Sequence, residues 1–353
     1  MRIVGIGDLF IPHRYIRDGF APLVAMGHEV ETFDWKLSGF PELQEINLAV
    51  EKGGASAFRP PPYVFDAAAR ADVLVTQFCS VPAALLEAAP ALKVVGVLRA
   101  GVENVDVAAA TARGIAVVNT PGRNADAVAD FTVGVLIAEA RNICRGHHGL
   151  KQGRWLREYP NSGHIPDLPG KSVGIVGLGE IGRKVAKRLA GFDMTILAYD
   201  PFVKTAPEGI RLVDLPTLMA DSDFVTVHAR LTKETTGLVS RDLIARMKPT
   251  AYLVNTSRSA LVDEGALVEA LREKRIAGAA LDVFDHEPPG LDDPLVQLEN
   301  VTLTPHMAGG SNDAFFNCPK LLAAELAKLL QGGEPRSVVN REALPATRSR
   351  LGS

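Results

Sequence analysis

Val173-Gly174-Ile175-Val176-Gly177-Leu178-Gly179-Glu180-Ile181-Gly182 is the stretch that decides the fold. An apolar run enters Gly-x-Gly-x-x-Gly, and a helical pattern, Arg183 to Ala190, leaves it. The next apolar run, Thr195-Ile196-Leu197-Ala198-Tyr199, ends on Asp200, 18 residues after Gly182. A glycine triplet alone is a weak signal. A strand before it, a helix after it and an acid about 20 residues on make it specific for a dinucleotide. The first glycine permits a tight turn, the second lets the backbone approach a pyrophosphate, and the third lets the helix pack on its strand. The helix N-terminus then receives the phosphate charge. Gly177, Gly179, Glu180, Ile181 and Gly182 are therefore expected to form the cofactor loop, with Asp200 accepting from the adenosine ribose hydroxyls. A carboxylate there repels a 2′-phosphate and no arginine follows at once, so the expected cofactor is NAD rather than NADP. Gly5-Ile6-Gly7 has Phe10 where a third glycine belongs and reads as a strand-to-loop turn.

Outward from the loop, short Val/Ile-rich runs alternate with helical patterns, which predicts α/β architecture with parallel sheets. One series starts at Ile3, Val73, Val94 and Ile115; a second has six candidate strands, starting at Ser172, Thr195, Phe224, Ala251, Gly278 and Val301. Residues 53–62, ending in three prolines, read as a surface loop. Residues 126–144 read as one long helix, apolar on more than one side, and are expected to form an interdomain or homodimer interface, with an ordinary core helix as the alternative. A final helix is expected over 319–330, and the tail over 341–353 is expected to fray.

The 353 residues suit two domains. Apolar residues at 47 % and charged residues at 22 % are globular values, and 41 acidic against 38 basic residues leave a net charge of −3. That balance offers no electrostatic footprint for nucleic acid or an anionic membrane. Three scattered cysteines, Cys79, Cys144 and Cys318, cannot build a disulfide framework. No apolar run approaches the roughly 20 residues of a membrane span, and Asp8 interrupts the N-terminus too early for a signal peptide. A cytoplasmic protein is expected.

The crevice of an open α/β sheet lies at the carboxyl ends of its strands. Arg258, Glu287 and His306 each follow a late strand. Hydride transfer to a carbonyl needs a proton donor for the forming alkoxide, a task suited to His. A carboxylate beside it holds the imidazolium, and Arg grips a substrate carboxylate with two hydrogen bonds. Together they describe 2-oxo acid chemistry. Asp285-His286-Glu287 is no metal clamp, because adjacent side chains diverge, and no metal is expected.

Val176 to Gly182, Asn255-Thr256-Ser257-Arg258-Ser259, Leu281-Asp282-Val283-Phe284 with Glu287-Pro288, and Thr304-Pro305-His306-Met307-Ala308-Gly309-Gly310 resemble the signatures of the D-isomer-specific 2-hydroxyacid dehydrogenases. With Asn119-Thr120-Pro121-Gly122, the resemblance covers nearly the whole chain. It implies two Rossmann-like, doubly wound parallel-sheet domains with the active site in the cleft between them. A discontinuous, flavodoxin-like substrate-binding domain would comprise 1–119 plus 308–340, and an NAD-binding domain 120–307. It also implies carboxylate binding by Arg258, a Glu287–His306 acid/base pair and a nicotinamide contact from Asp282. Thr256 joins the cofactor residues, and the Ala100 and Gly101 amides are expected to face substrate. The loop at 99–106 looks two residues shorter than the family's, and Arg230 stands where a proline is common. A phosphorylated substrate, as in 3-phosphoglycerate dehydrogenases, stays open, because Arg99, Arg123 and Arg230 are candidate phosphate ligands. A non-catalytic rival is the NAD-binding corepressor scaffold related to the family.

Overall fold

The computed structural model describes residues 1–352. The chain divides into two units, Met1–Arg123 with the chain from Ser311 onward, and Asn124–Gly310. These limits fall a few residues beyond those placed from the sequence. Thr120 stays with the first sheet, its N–H donating to the Arg99 carbonyl at 3.1 Å and its hydroxyl to that of Val97 at 3.2 Å.

The first unit holds five parallel strands, β1 (Arg2–Gly7), β2 (Glu29–Asp34), β3 (Val73–Thr76), β4 (Val94–Val97) and β5 (Ala116–Asn119), in the order β2-β1-β3-β4-β5. Buried on both faces, β3 and β4 are apolar apart from Thr76, as expected of interior parallel strands. β2 escaped the sequence reading because it is a half-exposed edge strand that mixes Glu29, Glu31 and Thr32 with Val30 and Phe33. Within 53–62 a 3₁₀ turn, Ala55–Ala57, precedes a helix beginning at Pro62.

Helix Asn312–Leu330 starts a full two turns before the expected Pro319. Ser311 caps it by accepting from Ala314 N–H at 3.1 Å, and Pro319 sits inside it. Gly19 leaves room for that ring: a Cβ there would stand 2.7 Å from Pro319 Cβ. As far as the described residues run, to 352, the tail does not fray; residue 353 of the expected tail lies outside them. Asn340 borrows the open edge of β5, accepting from Val117 N–H at 2.7 Å and donating to the Ile115 carbonyl at 2.9 Å. Helix Leu344–Leu351 follows, with Leu344 and Thr347 buried.

The second unit holds seven parallel strands, β6 (Ser172–Val176), β7 (Thr195–Tyr199), β8 (Ile210–Leu212), β9 (Phe224–Val227), β10 (Tyr252–Asn255), β11 (Gly278–Leu281) and β12 (Val301–Leu303). Their order, β12-β11-β10-β9-β6-β7-β8, is the dinucleotide-binding order 3-2-1-4-5-6 with one strand added. β8, three residues at an edge, was absent from the six expected strands.

The expected single helix over 126–144 is two. Ala125–Ala140 ends at Arg141, Asn142 turns left-handed at φ +55°, and Ile143–Lys151 follows. Its apolar residues are not a spare surface: Ala129, Val133, Leu136 and Ala140 pack with Val173, Ile175, Val185 and Val254 in the unit's own core. The argument from that helix to a dimer interface therefore fails. Glu139, buried on it, is met by Arg145 at 2.8 and 2.9 Å and by Thr302 Oγ1 at 2.6 Å.

Candidate active site

The glycine loop sits where β6 hands over to helix Glu180–Ala190. Gly177 has φ +96°, and a Cβ there would lie 2.6 Å from Ala229 N; a Cβ on Gly182 would lie 2.1 Å from the Gly177 carbonyl oxygen. Neither position admits a side chain. Gly179 is the opposite case: nothing lies within 4 Å of its Cβ position, so backbone faces open space at the helix N-terminus. That opening beside free helical N–H groups fits a pyrophosphate. Glu180, exposed, opens the helix, and Ile181 follows it half-buried. Asp200, at the end of β7, accepts from Leu178 N–H at 2.8 Å on Oδ2 and from Phe202 N–H at 2.9 Å on Oδ1. One carboxylate thus fixes both the glycine loop and the turn that follows β7.

On β10, Asn255 braces the turn that ends in Arg258, accepting from Ser257 N–H at 3.0 Å and donating to the Arg258 carbonyl at 2.8 Å. Thr256 is buried, its hydroxyl 2.8 Å from that of Thr132. Arg258 is exposed; its only side-chain bond among the described residues is from Nη1 to the adjacent Ser257 carbonyl at 2.7 Å, so most of its donors are available.

Two neighbouring strands bring Glu287 and His306 together. His306 Nδ1 lies 2.7 Å from Glu287 Oε2, and Glu287 Oε1 accepts from Phe284 N–H at 3.2 Å. His306 occupies the left-handed region at φ +48°, uncommon for a residue with a Cβ. Asp282 holds that turn. Its carboxylate, 1 % exposed, accepts from Thr304 Oγ1 at 2.6 Å, Met307 N–H at 3.0 Å and Ala308 N–H at 2.8 Å. Reading Asp282 only as a cofactor residue missed this positioning work, which no spacing rule announces.

Thr132 and Thr304 were given no role from the sequence: Thr132 lies inside an apolar helix, and Thr304, although it opens the Thr304–Gly310 motif, acts through Asp282, a partner 22 residues away. His228, at the end of β9, is buried, with Nε2 2.9 Å from Thr226 Oγ1 and Nδ1 without a partner. Burial pushes its pKa down to about 3, so this imidazole stays neutral. Ala100 and Gly101 lie in the first unit after β4. There Asn119 Nδ2 donates to the Ala100 carbonyl at 2.6 Å, and the Glu103 carboxylate lies against Gly101.

Residues 133–308 match the family described as D-isomer specific 2-hydroxyacid dehydrogenase, NAD binding domain. The chain is 43 % identical over 269 residues to a glyoxylate reductase of Thermofilum pendens, covering 75 % of this chain and 79 % of that one. It is 40 % identical over 271 residues to a D-3-phosphoglycerate dehydrogenase of Archaeoglobus fulgidus, covering 76 % of this chain but 51 % of the relative, about half its length. Among solved structures, the TT0316 protein of Thermus thermophilus superposes with a TM-score of 0.72 at 32 % identity, covering 96 % of this chain and 100 % of that one. A 2-hydroxyacid dehydrogenase of Ketogulonicigenium vulgare superposes with a TM-score of 0.70 at 30 % identity, over 96 % and 98 %. The chain belongs to the D-isomer specific 2-hydroxyacid dehydrogenases, and the second unit carries the family's NAD-binding domain.

Proposed function

We propose that the protein is an NAD-dependent oxidoreductase that interconverts a 2-oxo acid and a D-2-hydroxy acid. The observation that carries this reading is the 2.7 Å contact of His306 with Glu287, on the carboxyl edge of the sheet that bears the glycine loop. NAD, held by the Gly177–Gly182 loop, Asp200 and Thr256, supplies or takes the hydride. The chain supplies the rest. Arg258, with its donors unpaired, grips the substrate carboxylate by a bidentate fork and polarises the adjacent carbonyl. With Nδ1–H directed at Glu287, Nε2 is the His306 atom that carries the transferable proton. As hydride reaches C2 the carbonyl π pair moves to oxygen, and the His306 Nε2–H bond breaks as the new O–H bond forms. Glu287 compensates the charge of the imidazolium and fixes its tautomer. Asp282 keeps the His306 turn in place and retains a lone pair on Oδ2 for the nicotinamide carboxamide. The Ala100 and Gly101 amides are a further candidate substrate contact, read from the family resemblance alone.

We also propose self-association through the second unit. Ile143, Leu150, Trp155, Leu156 and Ile165 are exposed, Trp155 by 80 %, and lie within one stretch of chain. Large apolar side chains left exposed close together in sequence are what association with another copy would cover. The described residues contain no helix long and apolar enough to cross a membrane.

The test of the reaction is loss of NADH absorbance with a panel of 2-oxo acids. His306→Ala is expected to lower kcat on the order of 10²- to 10⁴-fold, and Glu287→Gln to lower it less. No turnover with any 2-oxo acid, or near-normal turnover in His306→Ala, would remove the reading.

A further inference from the structure

The second unit buries a polar atom that the reaction does not use. His228 is the first residue after β9, and its N–H extends the sheet by donating to the Val176 carbonyl at 2.7 Å. The residue is 9 % exposed. Nε2 is engaged with Thr226 Oγ1 at 2.9 Å, while Nδ1 is buried and meets no partner among the described residues. Buried polar atoms of native chains are nearly always met, and one left open asks for a partner that the chain does not supply.

Its place in the sheet points to the ligand. In the order β12-β11-β10-β9-β6-β7-β8 the winding reverses between β6 and β9, and a doubly wound sheet leaves its ligand crevice outside the carboxyl ends at that point. His228 stands there: a Cβ on Gly177 would lie 2.7 Å from the His228 carbonyl carbon. Side chains alternate along a strand. Val225 and Val227 enter the core that holds Leu253 and Leu281, so Thr226 and His228 point to the other face, where Val185 and Leu189 of the glycine-loop helix pack. His228 therefore shares a face with the helix whose N-terminus is the candidate pyrophosphate site.

Strand spacing orders a dinucleotide along this edge, because neighbouring strands lie about 4.8 Å apart. Asp200 ends β7, the glycine loop leaves β6, His228 leaves β9, Thr256 follows β10 and Asp282 follows β11. With the adenosine ribose at Asp200 and the pyrophosphate at the loop, β9 lies one sugar's reach past the phosphates and short of the nicotinamide end at Thr256 and Asp282. A neutral imidazole brings no charge to a phosphate. Its free nitrogen donates in one tautomer and accepts in the other, and a sugar hydroxyl answers both. We propose that His228 turns its free nitrogen to a hydroxyl of the ribose on the nicotinamide side of the dinucleotide. The site lies wholly within the second unit and rests on the dinucleotide reading of the glycine loop, not on the identity of the 2-oxo acid.

Calorimetry measures the affinity of ADP, ADP-ribose and NADH for the full chain as wild type, His228→Leu and His228→Gln. ADP ends at the pyrophosphate, ADP-ribose adds the second ribose, and NADH adds the nicotinamide. Leucine keeps nearly the same volume without a polar atom, and glutamine keeps a donor and an acceptor. His228→Leu is expected to weaken ADP-ribose and NADH alike by about five- to tenfold, the equivalent of one hydrogen bond, and to change ADP by less than about twofold. His228→Gln should recover part of the loss. Unchanged ADP binding certifies that a variant is folded, and the unbranched His228→Met repeats the test if the leucine variant does not fold. Equal weakening of all three ligands would show that His228 only props the glycine loop and would overturn the proposal. So would a loss confined to NADH, which would move the contact to the nicotinamide, or no loss in any ligand, which would leave Nδ1 to a buried water. If ADP does not bind wild type, the dinucleotide reading of the loop falls with the proposal. If ADP binds and His228→Leu leaves ADP-ribose unweakened, the proposal falls alone.

Discussion

Replacing Asp282 tests how the protein holds its proton donor. The left-handed backbone at His306, φ +48°, carries a cost of roughly 1–2 kcal/mol for a residue with a Cβ. Against it stand the three hydrogen bonds that Asp282 accepts, from Thr304 Oγ1, Met307 N–H and Ala308 N–H at 2.6, 3.0 and 2.8 Å. Bonds to a charged acceptor contribute about 1.5–3 kcal/mol each. Even at the low end their sum exceeds the strain, so the turn is held. Asp282→Ala removes all three acceptors and leaves the Met307 and Ala308 N–H groups unmet. The turn then relaxes towards negative φ and takes the imidazole away from Glu287. At saturating NADH, kcat for 2-oxo acid reduction should fall on the order of 10²- to 10³-fold, within the range attributed to a positioned general acid. The NADH dissociation constant, read by fluorescence, should rise by about tenfold, the equivalent of one lost hydrogen bond. Asp282→Asn keeps an oxygen for Thr304 and Met307 but presents N–H to N–H at Ala308, and should fall between. If Asp282→Ala keeps its kcat and only the KM for NADH rises, Asp282 acts on the cofactor alone and the positioning argument is refuted.

His306→Gly should be more stable than His306→Ala by about 1 kcal/mol, because only glycine occupies φ +48° without a Cβ penalty. Equal denaturation midpoints would show that the turn is unstrained. Asp200→Ala should narrow the NADH/NADPH preference by at least about tenfold, mainly by weakening NADH, since the same carboxylate also fixes Leu178 N–H. A wild type that already favours NADPH would contradict the role given to Asp200. Burial pushes the Asp8 carboxyl up to about 6 from its ordinary 3.8, against the bonds from Ile11 and Phe10 N–H. The native state therefore binds more protons than the unfolded chain between those values, and Asp8 makes stability fall as pH rises through that window, by up to about 3 kcal/mol. Urea midpoints at acid and neutral pH should show a flatter profile for Asp8→Asn, whose oxygen keeps the two backbone bonds; an unchanged slope would assign it to other groups.

What could be read from the sequence was whatever local sterics and burial write into residue type. Gly177 and Gly182 admit no Cβ, so the cofactor loop announces itself. Interior parallel strands are buried on both faces, so β3, β4, β9 and β10 read as apolar runs. Arg258, Glu287 and His306 were visible as polar residues just past such runs. Edge strands β2 and β8 were not visible, because half-exposed strands tolerate charge. Nor was the ordered tail, whose stability comes from Asn340 meeting the backbone of β5, over 220 residues earlier in the chain. Helix Ala125–Ala140 looked too apolar for one domain because its neighbours were unknown; packed against helix Glu180–Ala190 and on β10 and β11, it is ordinary core. Tertiary structure also decided the chemistry of individual atoms. Strand order sets the His306–Glu287 contact and buries Asp282 under the turn it holds. Pairing separates Arg99, already met by carboxylates, from Arg123, which has none. A hydrogen bond depends on distances between groups far apart in sequence, and those distances exist only once the sheets have formed.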